Sequence, residues 1–421
     1  MENFIINGGK ELHGSIKLQG SKNSILPILA ATVATGGVSV LHNCPKLTDV
    51  DAAIAILRHI GCKVQRRGHT VIVDSSDANG FEISDSLMRE MRSSIVFLGA
   101  LLARFGKAKV SAPGGCEIGL RPIDLHLSAL AGMGTVITEE GGLLDCSCPD
   151  GLLGRQITLN FPSVGATENI MLAAIGAKGE TVITNAAREP EIADLAEYLN
   201  KCGMNIMGAG QSVIRISGAK KISGAEHRII PDRIVASTFM AAVACAGGRI
   251  NIKDVEKEHL APVIPVFESA GCNFEFSGKE MMVESFGRPR RIRLLRTMPY
   301  PGFPTDSQAL FMAVAAKANG TSIISEKIFE NRFRHVPELI KMGADIRVED
   351  GCVAVVEGVK KLHGAKVTAC DLRGGSALAI AAMGAEGQTI IENIYHIDRG
   401  CEAFEATLSA LGADIKRATI L

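Results

Sequence analysis

The chain has 421 residues, 47% of them hydrophobic, and its 45 basic residues balance 45 acidic ones. A chain without net charge has no overall field to attract a polyanion, so general nucleic-acid and membrane-surface binders are disfavoured. The hydrophobic content excludes a disordered chain. At this length we expect two or three domains, each large enough to bury a core.

Eleven cysteines are scattered along the chain without a CxxC pair, which is typical of a reduced, cytoplasmic protein. The first residues, MENFIINGGK, lack the apolar core of a secretion signal. The longest stretch without Asp, Glu, Lys or Arg, residues 23–45, is broken by Pro27 and by Gly36-Gly37, so we expect no membrane span there. Trp is absent, which removes the usual stacking platform of single-strand nucleic-acid binders.

Internal repetition is the strongest pattern in the sequence. Alanine-rich segments recur about every seventy residues, in the order ILAATVA, LGALLARFG, LAAIGAKG, MAAVACAGG, MAVAAKANG and IAAMGAEG. Each is followed by a short β-like run, an amphipathic helical pattern, and a glycine before another β run. These glycines are Gly61, Gly134, Gly203, Gly271, Gly343 and Gly412, at spacings of 73, 69, 68, 72 and 69 residues.

Each repeat is therefore predicted to be strand, helix, strand, helix, strand, and the fold class is α/β. A unit of this size is too small to bury a core alone, so we expect two globules of three repeats each. A glycine-rich stretch at residues 218–224 predicts a boundary near residue 230.

Two loops in every repeat precede helices, whose first N–H groups and positive dipole end favour anions. Cations recur in these loops: Lys22, Arg92, Arg121, Arg188, Arg332, Arg373 and Arg399. If the globules face each other, these cations converge on one anion-binding cleft.

Cys116 lies in the glycine-rich segment PGGCEIGLRP, which differs most from its counterparts in the other repeats. A thiol on such a loop, five residues from Arg121, has the features of a reactive cysteine. The alternative is a small, buried apolar residue. We expect that alternative for most other cysteines, including Cys62, Cys202 and Cys272 beside the repeat glycines.

Asp306 stands at a predicted helix start, where an N-cap is the alternative to a functional carboxylate. Asp371 with Arg373, and Asp398 with Arg399, are either functional or surface ion pairs worth little energy. Their shared position at the two loops of the repeat favours a function.

His126 follows the arginine loop and either donates to a phosphate or serves packing. No HExxH, His-Cys cluster or DxDxDG pattern is present, so we expect no metal. Neither GxGxxG with a following acidic residue nor GxxxxGK[ST] is present, so we expect no cofactor.

Nine segments together resemble the UDP-N-acetylglucosamine 1-carboxyvinyltransferases, which belong to the superfamily of EPSP synthase. They are GSKNSILP, PGGCEIGLRPIDLH, SVGATENIM, AAREPEI, PDRI, FPTDSQA, FENRFRHVPEL, DLRGGSAL and YHIDRG, and they cover essentially the whole chain. The resemblance implies two inside-out, barrel-like α/β globules of three repeats each. Residues 1–21 with 230–421 form one globule and residues 22–229 the other, with the active site in the cleft between them.

The resemblance also implies the reaction. The enolpyruvyl group of phosphoenolpyruvate passes to the 3-hydroxyl of UDP-N-acetylglucosamine and phosphate is released, which is the first committed step of peptidoglycan synthesis and thus serves cell shape and division. Cys116 is the implied general acid, and its thiol also forms a covalent phospholactoyl-type adduct. Asp306 is the implied base, while Lys22, Arg121 and Arg399 hold the phosphate and carboxylate of phosphoenolpyruvate. The epoxide fosfomycin alkylates the loop cysteine of this family.

Further residues match family contacts. Asn23 matches a residue near phosphoenolpyruvate. The implied nucleotide-sugar site consists of Arg92, Arg121, Pro122, Ile123, Asp124, Leu125, Asp306 and Ile328. The implied support for cleft closure comes from Glu189, Arg332, Asp371 and Arg373.

The chain departs from the family at one point, since Phe161-Pro162 precede Ser163–Gly165 where some branches carry a lysine near the nucleotide phosphates. Backbone groups of 163–165 are left for that contact. One alternative is the sister transferase that uses shikimate 3-phosphate, whose loop lacks the GGC cysteine. The other is a non-catalytic, repeat-built binding protein, against which Cys116, Asp306, Lys22 and Arg399 together argue. The sequence sets no oligomeric state.

Overall fold

The computed structural model describes residues 2–111, 123–218 and 221–419. Contacts divide them into a C-terminal unit, residues 2–19 and 231–419, and an N-terminal unit, residues 20–111, 123–218 and 221–230. The predicted site residues Cys116, Arg121 and Pro122 lie outside the described residues.

The strands are β1 (Glu2–Asn7), β2 (Leu12–Lys17), β3 (Val38–His42), β4 (Lys63–Arg67), β5 (Thr70–Asp74), β6 (Glu82–Ile83), β7 (Lys107–Ser111), β8 (Val136–Glu140), β9 (Leu143–Ser147), β10 (Gln156–Thr158), β11 (Glu180–Thr184), β12 (Asn205–Met207), β13 (Val213–Ser217), β14 (Glu226–Arg228), β15 (Gly248–Lys253), β16 (Asn273–Ser277), β17 (Glu280–Ser285), β18 (Leu294–Arg296), β19 (Thr321–Ser325), β20 (Asp345–Glu349), β21 (Val353–Glu357), β22 (Lys366–Thr368), β23 (Gln388–Glu392) and β24 (Asp414–Thr419).

The α-helices are α1 (Lys22–Thr35), α2 (Thr48–His59), α3 (Asp85–Glu90), α4 (Phe97–Phe105), α5 (Asp124–Gly132), α6 (Val164–Ala174), α7 (Pro190–Lys201), α8 (Arg233–Ala246), α9 (Ile264–Ala270), α10 (Thr305–Lys317), α11 (Val336–Lys341), α12 (Leu372–Met383), α13 (Tyr395–Asp398) and α14 (Phe404–Ala410). Short 3-10 helices cover Arg92–Val96 and Lys257–Leu260. No helix in the described ranges is long and apolar enough to cross a membrane.

Each unit contains three four-stranded sheets that follow one pattern. The orders are β14-β3-β5-β4, β6-β7-β9-β8 and β10-β11-β13-β12 in the N-terminal unit, and β2-β15-β17-β16, β18-β19-β21-β20 and β22-β23-β1-β24 in the C-terminal unit. The first pair in every order is parallel and the other two pairs are antiparallel. A parallel pair requires a crossover connection, which within most repeats is a long buried helix.

The predicted α/β class is confirmed, but the predicted single strand at the end of each repeat is wrong. That segment is a hairpin in most repeats, as in β4-β5 and β20-β21, so the repeat is strand, helix, strand, helix, strand, strand. A tight turn joins the two strands, with Gly68 at φ 61° in one hairpin and Gly351 at φ 67° in the other. In the last sheet β1, from the start of the chain, takes the place of one hairpin strand.

The six repeat glycines share one backbone conformation. Their φ angles, from Gly61 to Gly412 in chain order, are 96°, 98°, 110°, 105°, 88° and 97°. Each follows a helix, and in this left-handed region a side chain is strained, so glycine is favoured where a helix ends and the chain turns into a strand. The regular spacing thus reflects one conformational requirement repeated six times.

Three helices form the centre of each unit. Helices α1, α4 and α6 contact one another in the N-terminal unit, as do α8, α10 and α12 in the C-terminal unit. Helix α1 buries thirteen of its fourteen residues, which is typical of a helix surrounded by protein on all sides. The sheets therefore cover a helical core.

Small residues let the central helices approach closely. Gly99 in α4 donates its backbone N–H to Asn169 Oδ1 in α6 at 2.7 Å. A Cβ atom at Gly99 would lie 2.4 Å from the Asn169 carbonyl oxygen, closer than atoms tolerate. Gly132, at the end of α5, has nothing within 4 Å of the same position.

We expect Gly99→Ala to lower the free energy of unfolding by about 1–3 kcal/mol, because α4 and α6 must separate to admit the methyl group. The matched variant Gly132→Ala should be neutral or stabilising by up to about 1 kcal/mol, since its helical glycine has open space. Thermal unfolding of both variants measures the difference. Equal melting temperatures would contradict the close packing.

Candidate functional site

Lys22 is the first residue of α1 and is almost entirely buried. Its Nζ lies 2.5 Å from Oδ2 of Asp49, which is 3% exposed and belongs to the first turn of α2. The ammonium group has three N–H donors, and a buried carboxylate partner fixes its position at the helix start. Asn23, the next residue, is half-buried.

A buried polar network anchors the turn after Lys22. Ser24 Oγ donates to Asp194 Oδ2, and His227 Nε2 lies 2.9 Å from Asp194 Oδ1. On the far side of the ring, His227 Nδ1 is 3.1 Å from Lys201 Nζ. Because an ammonium group only donates, Nδ1 accepts and Nε2–H donates to the carboxylate. Helix α1 is therefore tied to α7 beside the predicted anion site.

Arg92 begins the 3-10 helix before α4 and is half-buried. At the start of α5, Ile123 and Leu125 are half-buried and Asp124 is exposed. His126 is buried, and its Nδ1 lies 2.7 Å from Asn169 Nδ2. This contact joins α5 to α6, and donation from His126 to a phosphate stays a prediction.

Three glutamates lie together near the starts of α6 and α7. Glu168 and Glu191 are buried, while Glu189 is the half-buried N-cap of α7. Burial, followed by the charges of Glu191 and Glu189, raises the pKa of Glu168 well above its usual value. The cluster therefore favours a neutral Glu168. Arg188, just before it, is exposed.

In the C-terminal unit, Asp306 contacts two buried arginines. It is the second residue of α10, and its Oδ1 lies 2.8 Å from Arg332 Nη2 while Oδ2 lies 3.2 Å from Arg373 Nη2. The two arginine side chains are 3% and 6% exposed, whereas the Asp306 side chain is 29% exposed. The N-cap alternative for Asp306 is wrong, because Pro304 holds the cap position.

These arginines determine the protonation state of Asp306. Burial acts to raise its pKa, but the Arg373 and Arg332 guanidinium groups, with a contribution from Arg233, outweigh burial and hold the pKa well below its usual range. Asp306 is consequently ionised at neutral pH, with both oxygens already accepting charged hydrogen bonds.

Asp371 is the N-cap of α12, since its Oδ1 accepts from the N–H groups of Arg373 at 2.9 Å and Gly374 at 3.0 Å. Asp232 caps α8 in the same way, through Ile234 and Val235. Asp371 and Arg373 are 8% and 5% exposed, so the alternative of a surface ion pair is wrong for them.

Ile328 is held through its backbone. Its N–H donates to Glu326 Oε1 at 2.8 Å, and the same carboxylate accepts from the hydroxyls of Thr297 and Thr305. Glu326 is 2% exposed. This carboxylate therefore joins the Ile328 loop to the first residue of α10, immediately before Asp306.

Arg399 follows α13 and is half-buried. Its neighbour Asp398 forms a two-point ion pair with Arg417 of β24, at 2.6 Å and 3.0 Å. Arg417 also contacts Glu405 at 2.9 Å and Glu2 at 2.8 Å. The chain on the amino side of Arg399 is thus fixed to the sheet.

Sequence reasoning missed Asp49, Asp194, Arg233 and Glu326. Asp49 and Arg233 lie in the helix-start loops predicted from the repeat, so their position in the repeat could have indicated them. Asp194 and Glu326 act through contacts between residues far apart in the chain, for which the sequence carried no signal.

Most described thiols are buried, as predicted for Cys62, Cys202 and Cys272. Burial raises the pKa of Cys44, Cys62, Cys245 and Cys272 to about 12 in each case, so these thiols stay protonated and unreactive. Of the cysteines in the described ranges, Cys352 and Cys370 are half-buried.

Comparison with known proteins places these features in context. Residues 6–408 match the family described as EPSP synthase (3-phosphoshikimate 1-carboxyvinyltransferase). UDP-N-acetylglucosamine 1-carboxyvinyltransferase 2 of Caldanaerobacter subterraneus subsp. tengcongensis is 53% identical over 417 residues, covering 99% of this chain and 100% of that protein. UDP-N-acetylglucosamine 1-carboxyvinyltransferase 1 of Symbiobacterium thermophilum is 49% identical over 423 residues, covering 99% and 95%.

Solved structures agree on the fold. The crystal structure of the enolpyruvyl transferase NikO from Streptomyces tendae matches with a TM-score of 0.91 at 26% identity, covering 100% of this chain and 99% of that one. EPSP synthase from Acinetobacter baumannii matches with a TM-score of 0.76 at 18% identity over the full length of both chains. The enolpyruvyl transferase fold expected from the sequence is confirmed.

Proposed function

We propose an activity that follows from the family to which the chain belongs, the UDP-N-acetylglucosamine 1-carboxyvinyltransferases. The chain transfers the enolpyruvyl group of phosphoenolpyruvate to the 3-hydroxyl of UDP-N-acetylglucosamine and releases phosphate. The observation that carries the proposal is the partly exposed Asp306 carboxylate held between Arg332 and Arg373. The product is the first committed precursor of peptidoglycan.

The chemistry is an addition followed by an elimination. The sugar oxygen bonds to C2 of phosphoenolpyruvate while C3 gains a proton, giving a tetrahedral adduct that still carries phosphate. Loss of a C3 proton and of the phosphate group then restores the double bond. The steps need a general acid, a base, and cations around the phosphate and carboxylate.

Cys116 has the proposed role of acid, and Lys22, Arg121 and Arg399 have that of cationic clamp. The buried Lys22–Asp49 pair supports a clamp that is positioned before substrate binds, which lowers the cost of ordering it. Asn23, Arg92, Pro122, Ile123, Asp124, Leu125 and Ile328 have the proposed role of substrate contacts.

Asp306 has a more specific role than its residue type suggests. A carboxylate with a strongly lowered pKa is a weak base, so it does not deprotonate the sugar hydroxyl before the reaction begins. It accepts and orients the 3-hydroxyl, and the proton transfers as the new C–O bond makes that hydroxyl acidic. Arg332 and Arg373 act through Asp306 by fixing where its oxygens point.

The alternative that uses shikimate 3-phosphate is disfavoured. Proteins named UDP-N-acetylglucosamine 1-carboxyvinyltransferase reach 53% identity, whereas EPSP synthase structures share 18–19% identity and support the fold alone. We also propose a cytoplasmic location, since the described cysteines are all free thiols.

Incubation with phosphoenolpyruvate and UDP-N-acetylglucosamine should release phosphate, and omission of either substrate should abolish release. Replacing the nucleotide sugar with shikimate 3-phosphate should give none. A colorimetric phosphate assay measures all four mixtures. Release with shikimate 3-phosphate but not with the nucleotide sugar would reverse the assignment.

Asp306→Asn should lower turnover by about 10²–10⁴-fold, because the amide neither accepts a proton nor balances Arg332 and Arg373. Its KM for UDP-N-acetylglucosamine should change much less. Asp345→Asn, an exposed change in β20 of the same unit, is the control and should retain turnover. Steady-state kinetics measures the turnover of both variants, and circular dichroism checks that both are folded. Full turnover in Asp306→Asn would exclude Asp306 as the base.

Fosfomycin should add covalently to Cys116 and stop phosphate release. The buried thiols with raised pKa values should not react, since alkylation requires an accessible thiolate. Peptide mass spectrometry locates the adduct, with Cys116→Ala as the unreactive control. An adduct on Cys352 or Cys370 instead would refute the role of Cys116.

A further inference from the structure

The side-chain amide of Gln19 bridges two peptide groups of the segment that carries Arg399. Its Nε2 donates to the Gly400 carbonyl at 3.1 Å, and its Oε1 accepts from the Glu402 N–H at 2.8 Å. Gln19 is half-buried and far from both partners in sequence. One amide thus supplies both the donor and the acceptor that these peptide groups require.

We define the Arg399 loop as residues 399–403, between α13 and α14. Its own turn uses the N–H groups of Gly400 and Cys401, which both donate to Ile397 at 3.0 Å. The Gly400 carbonyl and the Glu402 N–H instead take Gln19 as their partner. With the Asp398–Arg417 pair on one side, the loop is held on both sides of Arg399.

The same loop packs closely against α12. A Cβ atom at Gly400 would lie 2.5 Å from Leu372 Cδ2, in the first turn of the helix that carries Arg373. The contact leaves little space, so a shift of the loop moves Arg399 relative to the start of α12. Because Gly400 follows Arg399 directly, holding the Gly400 peptide restrains the backbone from which the Arg399 side chain extends.

The backbone of Gln19 connects this contact to the start of another central helix. Its carbonyl accepts from the Asp232 N–H at 3.0 Å, and Asp232 caps α8. The chain leaves the C-terminal unit directly after Gln19. A single residue therefore links the α8 start to the Arg399 loop.

We propose that Gln19 is a positioning residue that holds Arg399 for phosphoenolpyruvate binding and so sets the affinity for that substrate rather than for the nucleotide sugar. The proposal rests on the proposed function. Only an amide makes both contacts. A glutamate at this position retains the acceptor but turns a carboxylate oxygen toward the Gly400 carbonyl, and an alanine makes neither contact.

Gln19→Ala should raise the KM for phosphoenolpyruvate about tenfold, which corresponds to about 1.4 kcal/mol, because the Gly400 carbonyl and the Glu402 N–H both lose their partner. The KM for UDP-N-acetylglucosamine should change less than about twofold, within the effect of an ordinary surface change. Gln19→Glu should match or exceed the alanine effect. Initial rates of phosphate release, with each substrate varied in turn, provide these values.

Asn7→Ala is the matched control. Like Gln19, Asn7 lies in residues 2–19 of the C-terminal unit and has an amide side chain with two hydrogen bonds. It donates to Asp414 and accepts from Gln388, each at 3.1 Å. Both KM values should stay unchanged in this variant. An equal rise of both KM values in Gln19→Ala, no rise at all, or the same rise in Asn7→Ala would overturn the proposal.

Hydrogen exchange separates this inference from the proposed function. Amides in a peptide covering 395–403 should exchange faster in Gln19→Ala than in the wild type or Asn7→Ala, because Glu402 N–H loses its acceptor. Unchanged exchange in this peptide would contradict the proposed role of Gln19. A wild type that releases no phosphate but shows the exchange difference would refute the proposed function while leaving the loop contact standing.

Discussion

The close packing of three buried helices in each unit is the constraint on which the rest of the structure depends. Alanine and glycine on α4 and α6 bring these helices so near that one backbone N–H bonds directly to a side chain of the next. Helices packed this tightly cannot shift independently. Their amino ends are therefore fixed, and the charged residues at those ends are fixed with them.

The C-terminal unit shows what this arrangement provides. Arg233, Asp306 and Arg373 lie in the first turns of α8, α10 and α12 respectively. The charge of Arg233 acts on Asp306, and Arg373 bonds to it directly. A cation is unfavourable at the positive end of a helix, so the arginines need a carboxylate among them. Asp306 supplies it while keeping 29% of its side chain exposed for a further hydrogen-bond donor.

Most of the fold could be predicted from the sequence repeat. Glycine at φ near 100° and alanine in a crowded core are local requirements, so these residues recur with the period of the repeat. The hairpin at the end of most repeats was not predicted, because its two short strands look like one β run in the sequence. Asp306 was found, but its pairing with Arg332 and Arg373 was not, since a helix-start aspartate has the same pattern whether it caps or pairs. Asp194 and Gln19 act across most of a unit, and such contacts leave no local pattern.

The zero net charge and the proposed anionic substrates are compatible for a physical reason. Lys22 is paired with Asp49 and Arg417 with Asp398, and such pairing matters because an unpaired buried charge destabilises by about 3–5 kcal/mol. Formal charges at the site are thus partly cancelled before any substrate arrives. What remains is the positive end of each central helix, equivalent to roughly half a charge, which adds nothing to the formal count. A chain without net charge therefore still favours anions where its helices begin.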